Sequence, residues 1–439
     1  MERWFARLGL RTPEQRAWGM YDWANSAFQC TIITAVFPVY FTTVAAADLP
    51  GSLATQRYAT ATTIALAIVA ALAPVLGAYA DAAAAKKRLL ALFVTVGVCA
   101  TAGLWFVERG DWQLGALLFI VANIGVSASF VFYDSLLPHI ARAEEMDRVS
   151  SAGYALGYLG GGLLLVVNLA WIMAPGAFGL ADQAVASRLS FLSVAIWWAG
   201  FSVPLLRRVP EPAVRPSAAV ARLGPVRASL AQLAETIREL GRFRQAALML
   251  VAFLIYNDGI GTIIRMAGSY GAEIGLPTTD LIAAIVIVQF VGIPFAVLFG
   301  ALAGRIGAKT AILLALAVYC TISVLGYYMR EAWQFYLLAF LVGMVQGGSQ
   351  ALSRSLFASM IPRHRSSQFF GFFGVFEKFA GIVGPGIFAL TIRLTGSSRN
   401  AILSVIGFFV VGAILLWFVD VAAGQREARA SEEAFAAVP

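Results

Sequence analysis

The sequence predicts an all-α membrane protein of twelve transmembrane helices in two pseudo-symmetric six-helix bundles. Three observations carry that expectation. The 439 residues are 60% hydrophobic and 13% charged, with a mean hydropathy of +0.78, too apolar for a soluble globular chain. The apolar residues fall into runs of roughly 20, the length a helix needs to cross the hydrocarbon of a bilayer. The two halves of the chain also repeat one another in register.

The first bundle is expected over residues 1–206, with spans near 18–44, 58–81, 88–107, 112–138, 149–173 and 187–206. No apolar stretch precedes Trp18 in the arginine-bearing start of the chain, so the first span reads as a retained helix and not as a cleaved signal. Span 1 carries Asp22, Asn25, Ser26 and Gln29 at i, i+3, i+4 and i+7, one polar stripe on one helix face. Span 5 carries Gly153, Gly157 and Gly161, small residues at one-turn spacing that let helices approach closely.

Residues 207–244 then read as a cytoplasmic linker, proline-punctuated and basic at first. It continues into Leu230, Leu233, Ile237 and Leu240 at amphipathic helical spacing. The second bundle is expected over 245–439, with spans near 245–270, 278–303, 309–329, 333–357, 366–393 and 399–422.

With the N-terminus inside, 23 of the 32 lysines and arginines fall in the tails and loops of one face. The positive-inside rule therefore puts both termini in the cytoplasm, and a bacterial inner membrane is the expected location. This topology accounts for the net charge of +8, so no nucleic-acid partner is implied. Cys30, Cys99 and Cys320 lie in apolar runs without metal-ligand spacing and read as packing residues. His139 and His364 sit in short basic loops. No nucleophile triad, phosphate loop or metal cluster is present, so no enzyme activity, cofactor or metal is expected.

In the repeat, Gly77 to Lys86 aligns with Gly300 to Lys309 and Asp134-Ser135-Leu136 with Arg354-Ser355-Leu356. Ser150-Ser151 aligns with Ser366-Ser367. The first motif resembles the signature of the major facilitator superfamily, Gly-x-x-x-Asp-Arg-x-Gly-Arg-Arg/Lys, between helices 2 and 3. One copy keeps Gly77, Asp81 and Lys86; the other keeps Gly300, Arg305, Gly307 and Lys309. Within that superfamily, Tyr21-Asp22-Trp23-Ala24-Asn25-Ser26-Ala27, Pro38-Val39-Tyr40-Phe41 and the stretch Lys378 to Pro385 are similar to the vacuolar amino-acid effluxer branch. The resemblance implies the major facilitator fold and a carrier that exposes a central site to each side in turn.

An ionisable residue at hydrocarbon depth is costly, and marks a functional candidate. Asp258, Thr262 and Arg265 share a face of span 7, and Glu377 and Lys378 lie deep in span 11. Asn25, Gln29, Asp258, Arg265 and Lys378 are the candidate substrate-binding residues. Asp22 and Asp258 are candidates for proton coupling. Asp134 and Arg354, at equivalent places in spans 4 and 10, are expected to pair as a gate, with Glu377 pairing to a neighbouring helix. Asp81 resembles the family acid that meets the N-terminus of helix 11, where Ser366 and Ser367 are expected caps. The expected cargo is an amino acid or similar zwitterion moved by a monomer in the lipid bilayer, with protons as a coupling partner. An exporter of hydrophobic drugs or lipids is the alternative, suggested by Phe369, Phe370, Phe372, Phe373 and Phe376.

Overall fold

The computed structural model describes residues 5–6, 8–212, 243–273, 277–380 and 383–437. The amphipathic helix expected at 230–240 lies outside the described residues. The first six spans are α1 (Pro13–Ala45), α2 (Gly51–Ala83), α3 (Lys86–Gly103), α4 (Trp112–Ser135), α5 (Met146–Met173) and α6 (Gln183–Arg208). The next four are α7 (Arg244–Glu273), α8 (Thr278–Ile306), α9 (Ala308–Tyr328) and α10 (Ala332–Ser359). Span 11 is two pieces, α11a (Ser366–Phe379) and α11b (Val383–Thr395), and α12 is Arg399–Trp417. Among the described residues eleven helices are long and apolar enough to cross a membrane, and the broken α11 supplies the twelfth.

Local chemistry sets several of these ends. Thr12 caps α1 through the backbone of Gln15, whose side chain answers to the backbone of Thr12, and Pro13 sits where its missing N–H costs nothing. Further along α1, Pro38 cannot continue the hydrogen-bond ladder, and the helix widens to π geometry over Gln29–Ala35 and Phe41–Ala45. Asp182 caps α6 by accepting from the N–H of Val185 at 2.8 Å.

The packing repeats as the sequence does. α1 lies on α6, α2 on α4, α3 on α4 and α3 on α6; α7 lies on α12, α8 on α10, α9 on α10 and α9 on α12. Each half thus buries equivalent helix faces. Between the halves, α2 meets α11a and α8 meets α5, again an equivalent pair. Gly77 of the first motif copy lies so close to the backbone of Ser367 that a Cβ would overlap it. Its counterpart Gly300 faces Ser151, with a Cβ 2.7 Å from the serine Cβ. The two motif glycines therefore let each bundle press on the paired serines of the other.

Two elements depart from the sequence reading. Span 11 is described as two helices: α11a ends at Phe379, Ala380 leaves helical geometry at ψ 75°, and α11b begins at Val383. Gly381, Gly384, Pro385 and Gly386 concentrate helix breakers here. The segment after α12, expected as a tail, forms helix α13 (Val421–Ala437) instead. Its alanines, glutamates and arginines favour helix, and Gly424 and Ala428 bury one small-residue face, Gly424 against Met360.

Candidate functional site

Arg354 projects from α10 toward three helices of the first bundle. Its Nη1 donates to Asp134 Oδ1 of α4 at 3.1 Å and its Nη2 to Asp22 Oδ2 of α1 at 3.2 Å. Ser150 of α5 accepts twice, through Oγ from Nε at 2.9 Å and through its carbonyl from Nη2 at 3.0 Å. Arg354, Asp22 and Asp134 are 3%, 6% and 8% exposed. The rings of Tyr154 and Trp18 stand 4.6 and 4.7 Å from the guanidinium carbon, within cation–π range. Room for the Asp22 carboxylate comes from Gly153: a Cβ there would overlap Asp22 Oδ2 and reach 3.2 Å from Arg354 Nη2. One cation thus ties α10 to α1, α4 and α5, in a setting where leaving any partner unpaired is expensive.

A second polar cluster closes the same face. Asp81 accepts from the N–H groups of Ser367 at 3.2 Å and Gln368 at 2.8 Å, so a side chain of α2 caps α11a. Lys86 Nζ is 2.8 Å from Asp81 Oδ1 and donates to Ser366 Oγ at 2.6 Å, with His139 Nε2 at 3.2 Å. Ser366 and Ser367 do not cap α11a themselves, contrary to the sequence reading. Their hydroxyls donate to Ser135, on its carbonyl at 3.0 Å and its Oγ at 2.9 Å. The reason is geometric: the carboxylate from α2 already occupies the first-turn donors.

Asp258 of α7 stands at the break in α11. Its Oδ2 accepts from the N–H of Gly384 at 2.9 Å, at the start of α11b, while Thr262 Oγ1 donates to the carbonyl of Asp258 at 2.7 Å. The two broken pieces of span 11 are therefore each met at the N-terminus by a carboxylate from another helix. Gly384 is required by contact, since a Cβ would overlap Thr262 Oγ1.

A cavity of about 700 Å³ opens on the other side of the gate. It is bounded by α1 and α2 of the first bundle and by α7 to α12 of the second. Gln346 is part of its lining, eight residues before Arg354 on α10, or roughly 12 Å along the helix axis. Most of the wall is Ile, Leu, Val, Met, Phe and Ala. Arg265 is exposed into it, together with Tyr58, Thr62, Gln289 and Gln346, and no acid is among the described residues that line it. The structure is closed at the Asp81 face and hollow toward the opposite one.

A family model described as vacuole effluxer Atg22 like matches residues 54–429. The MFS-type transporter YxiO of Bacillus subtilis is 37% identical over 418 residues, covering 93% of this chain and 95% of YxiO. The chain belongs to the Atg22-like vacuole effluxer family. Autophagy-related protein 22 of Yarrowia lipolytica is a more distant relative, 23% identical over 80% of this chain and 73% of its own. The fold matches the proton:xylose symporter XylE with a TM-score of 0.69 at 16% identity, over 97% of this chain and 98% of XylE. The fucose:proton symporter FucP gives 0.68 at 12% identity, over 95% and 98%. This Atg22-like chain is a multi-pass membrane transporter of the major facilitator superfamily.

The candidate residues of this Atg22-like protein are spread over several places. Asp134 and Arg354 come together as a pair, and Asp22 joins them. Asp81 meets α11a. Asp258 lies at the α11 break, and of the described candidate substrate residues Arg265 lines the cavity. Asn25 is 1% exposed and donates to the carbonyl of Tyr21 at 2.8 Å, packed inside its bundle. Gln29 is half-buried at the start of the π segment, away from the cavity wall. Glu377 is half-buried on α11a; the Lys378 side chain lies outside the described residues. Sequence reasoning marked Ser150 and Lys86 as repeat positions without giving them a site role, and missed the cavity glutamines. For Gln289 and Gln346 the signal was present, as amides inside strongly apolar spans.

Proposed function

We propose that this chain is a secondary active transporter of a small carboxylate-bearing solute with an apolar body, an apolar amino acid being the class that fits. The observation that carries the reading is Arg265 presented into a mostly apolar cavity of about 700 Å³. A guanidinium offers paired donors to a carboxylate, and the apolar wall takes the side chain. With no acid on the described wall, a substrate ammonium would meet the hydroxyls and amides of Tyr58, Thr62, Gln289 and Gln346.

Transport proceeds by rocking of the bundles 1–206 and 245–439 about this site, linked through 207–244. The Asp22–Arg354–Asp134 cluster seals the face that the lysine and arginine bias assigns to the cytoplasm. Asp22 and Asp258 are the carboxylates offered for proton coupling, as each is buried and bonded at a place that must rearrange when the halves move. Both termini are then cytoplasmic and the membrane is the bacterial inner one.

The apolar wall also favours a second reading, export of hydrophobic drugs or lipids. A thermal-shift screen of amino acids, sugars, short peptides and hydrophobic cations on the purified protein separates the two. Apolar amino acids should stabilise the wild type and lose that effect in Arg265→Gln. Stabilisation by hydrophobic cations, unchanged in Arg265→Gln, would overturn the reading.

A further inference from the structure

The closed face holds a second, smaller cavity of about 280 Å³ that shares no lining residue with the substrate chamber. That is the liquid volume of about nine waters. Three arginines from three separate segments line it: Arg142 in the loop between α4 and α5, Arg363 in the loop between α10 and α11a, and Arg429 on α13. None of the three appears in an ion pair within the described residues.

Two carboxylates share the wall. Glu432 is engaged with backbone, accepting from the N–H of Arg363 at 2.8 Å, and Glu144 is exposed on the first bundle's loop. Helix α13 is fixed beside this cavity by more than one contact. Phe435 stacks on His364 with ring centroids 4.2 Å apart, and Gln425 donates to Ser359 at 3.4 Å.

We propose that this cavity binds a phosphate-bearing anion that staples the closed face. Arginines from three segments lining one concavity place paired donors where the oxygens of a phosphate can be met. Basic pockets between helix ends at a membrane face are where anionic headgroups lodge. The pocket is assembled from both bundles, Arg142 from the first and Arg363 and Arg429 from the second. Opening this face separates them, so an anion held by all three binds the closed state in preference and shifts the population toward it. The ligand has two possible sources, a phospholipid headgroup from the adjoining leaflet or free phosphate from the aqueous phase.

The test needs no knowledge of the transported solute, so it succeeds or fails apart from the substrate reading. Thermal unfolding of the full chain is followed at fixed ionic strength, in detergent with inorganic phosphate titrated against chloride. It is followed again in nanodiscs of phosphatidylcholine with and without phosphatidylglycerol. A phosphate-dependent rise in detergent supports the site with free anion as its source. A rise confined to phosphatidylglycerol discs supports it with a headgroup as its source. In either arm the apparent affinity should weaken at least about tenfold in R142Q/R363Q/R429Q, and Arg142→Lys should retain part of it. Because these side chains are exposed, the triple variant is expected to fold, which its unfolding midpoint without phosphate checks. No rise in either arm, or an equal rise in the triple variant, overturns the proposal.

Discussion

Replacing Arg354 by Gln should open the closed face. The guanidinium makes four hydrogen bonds across the bundle interface, two of them to carboxylates that are nearly inaccessible to water. Removing one partner of a buried ion pair costs ~3–5 kcal/mol, because the remaining charge stays desolvated. Here the protein has a way to relieve that cost, since parting the bundles hydrates Asp22 and Asp134. At 1.4 kcal/mol per factor of ten, the closed state should lose between about a hundred and a few thousand fold in population relative to the open one. The assay is alkylation of Ser355→Cys by a membrane-impermeant maleimide, in a background with Cys30, Cys99 and Cys320 replaced by Ala. Ser355 is fully buried at this seam and donates to Asp147 of α5 at 2.5 Å. The thiol should be protected with Arg354 present, react rapidly in Arg354→Gln, and regain protection when Asp22→Asn and Asp134→Asn are added. An unchanged alkylation rate in Arg354→Gln would refute the assignment of this cluster as the seal.

Asp81→Asn should destabilise the protein by ~3–5 kcal/mol, since it strands the buried Lys86 ammonium and weakens the cap on α11a; adding Lys86→Met should recover most of the loss in thermal unfolding, and no recovery would argue against the pair. Gly384→Ala should abolish transport by forcing the new methyl onto Thr262 Oγ1, and Thr262→Ala should restore part of it; a fully active Gly384→Ala would show that the α11 break is not packed as described. Burial, with the neighbouring Arg365 and Lys86 charges, pushes His364 down to about 4. The unfolded imidazole titrates near 6.5, so between these values the unfolded chain binds the extra proton and stability falls as the pH drops. Wild type should therefore lose up to about 2 kcal/mol more than His364→Gln between pH 7.5 and 5.0, and equal losses would contradict the shift.

The helix inventory was legible because each span is long and apolar, and because the repeat constrained how the spans pair. The gate was legible for a related reason. Charges at lipid depth are rare, and duplication put Asp134 and Arg354 at matching places on helices that meet. Asp22 as a third member was not readable, since helical spacing tells which residues share a face but not which helix that face meets. Asp258 and Arg265 share a face in the sequence, yet the break in α11 draws one to a backbone cap while the other enters the cavity. The cavity itself is assembled from mostly apolar residues of both bundles, and nothing in their local pattern distinguishes them from lipid-facing ones. Helix α13 was overlooked because its polarity reads as solvent-exposed tail, although its small residues recur at i and i+4.

The central claim is that Arg265 holds a carboxylate in a chamber exposed to one side at a time. Counterflow into proteoliposomes tests it most directly, with purified protein, an internal excess of unlabelled apolar amino acid and an external radiolabelled trace. The account predicts transient accumulation of label in wild type and its loss in Arg265→Gln at the same protein density. Absence of counterflow for every apolar amino acid tried, or accumulation that survives intact in Arg265→Gln, would contradict it.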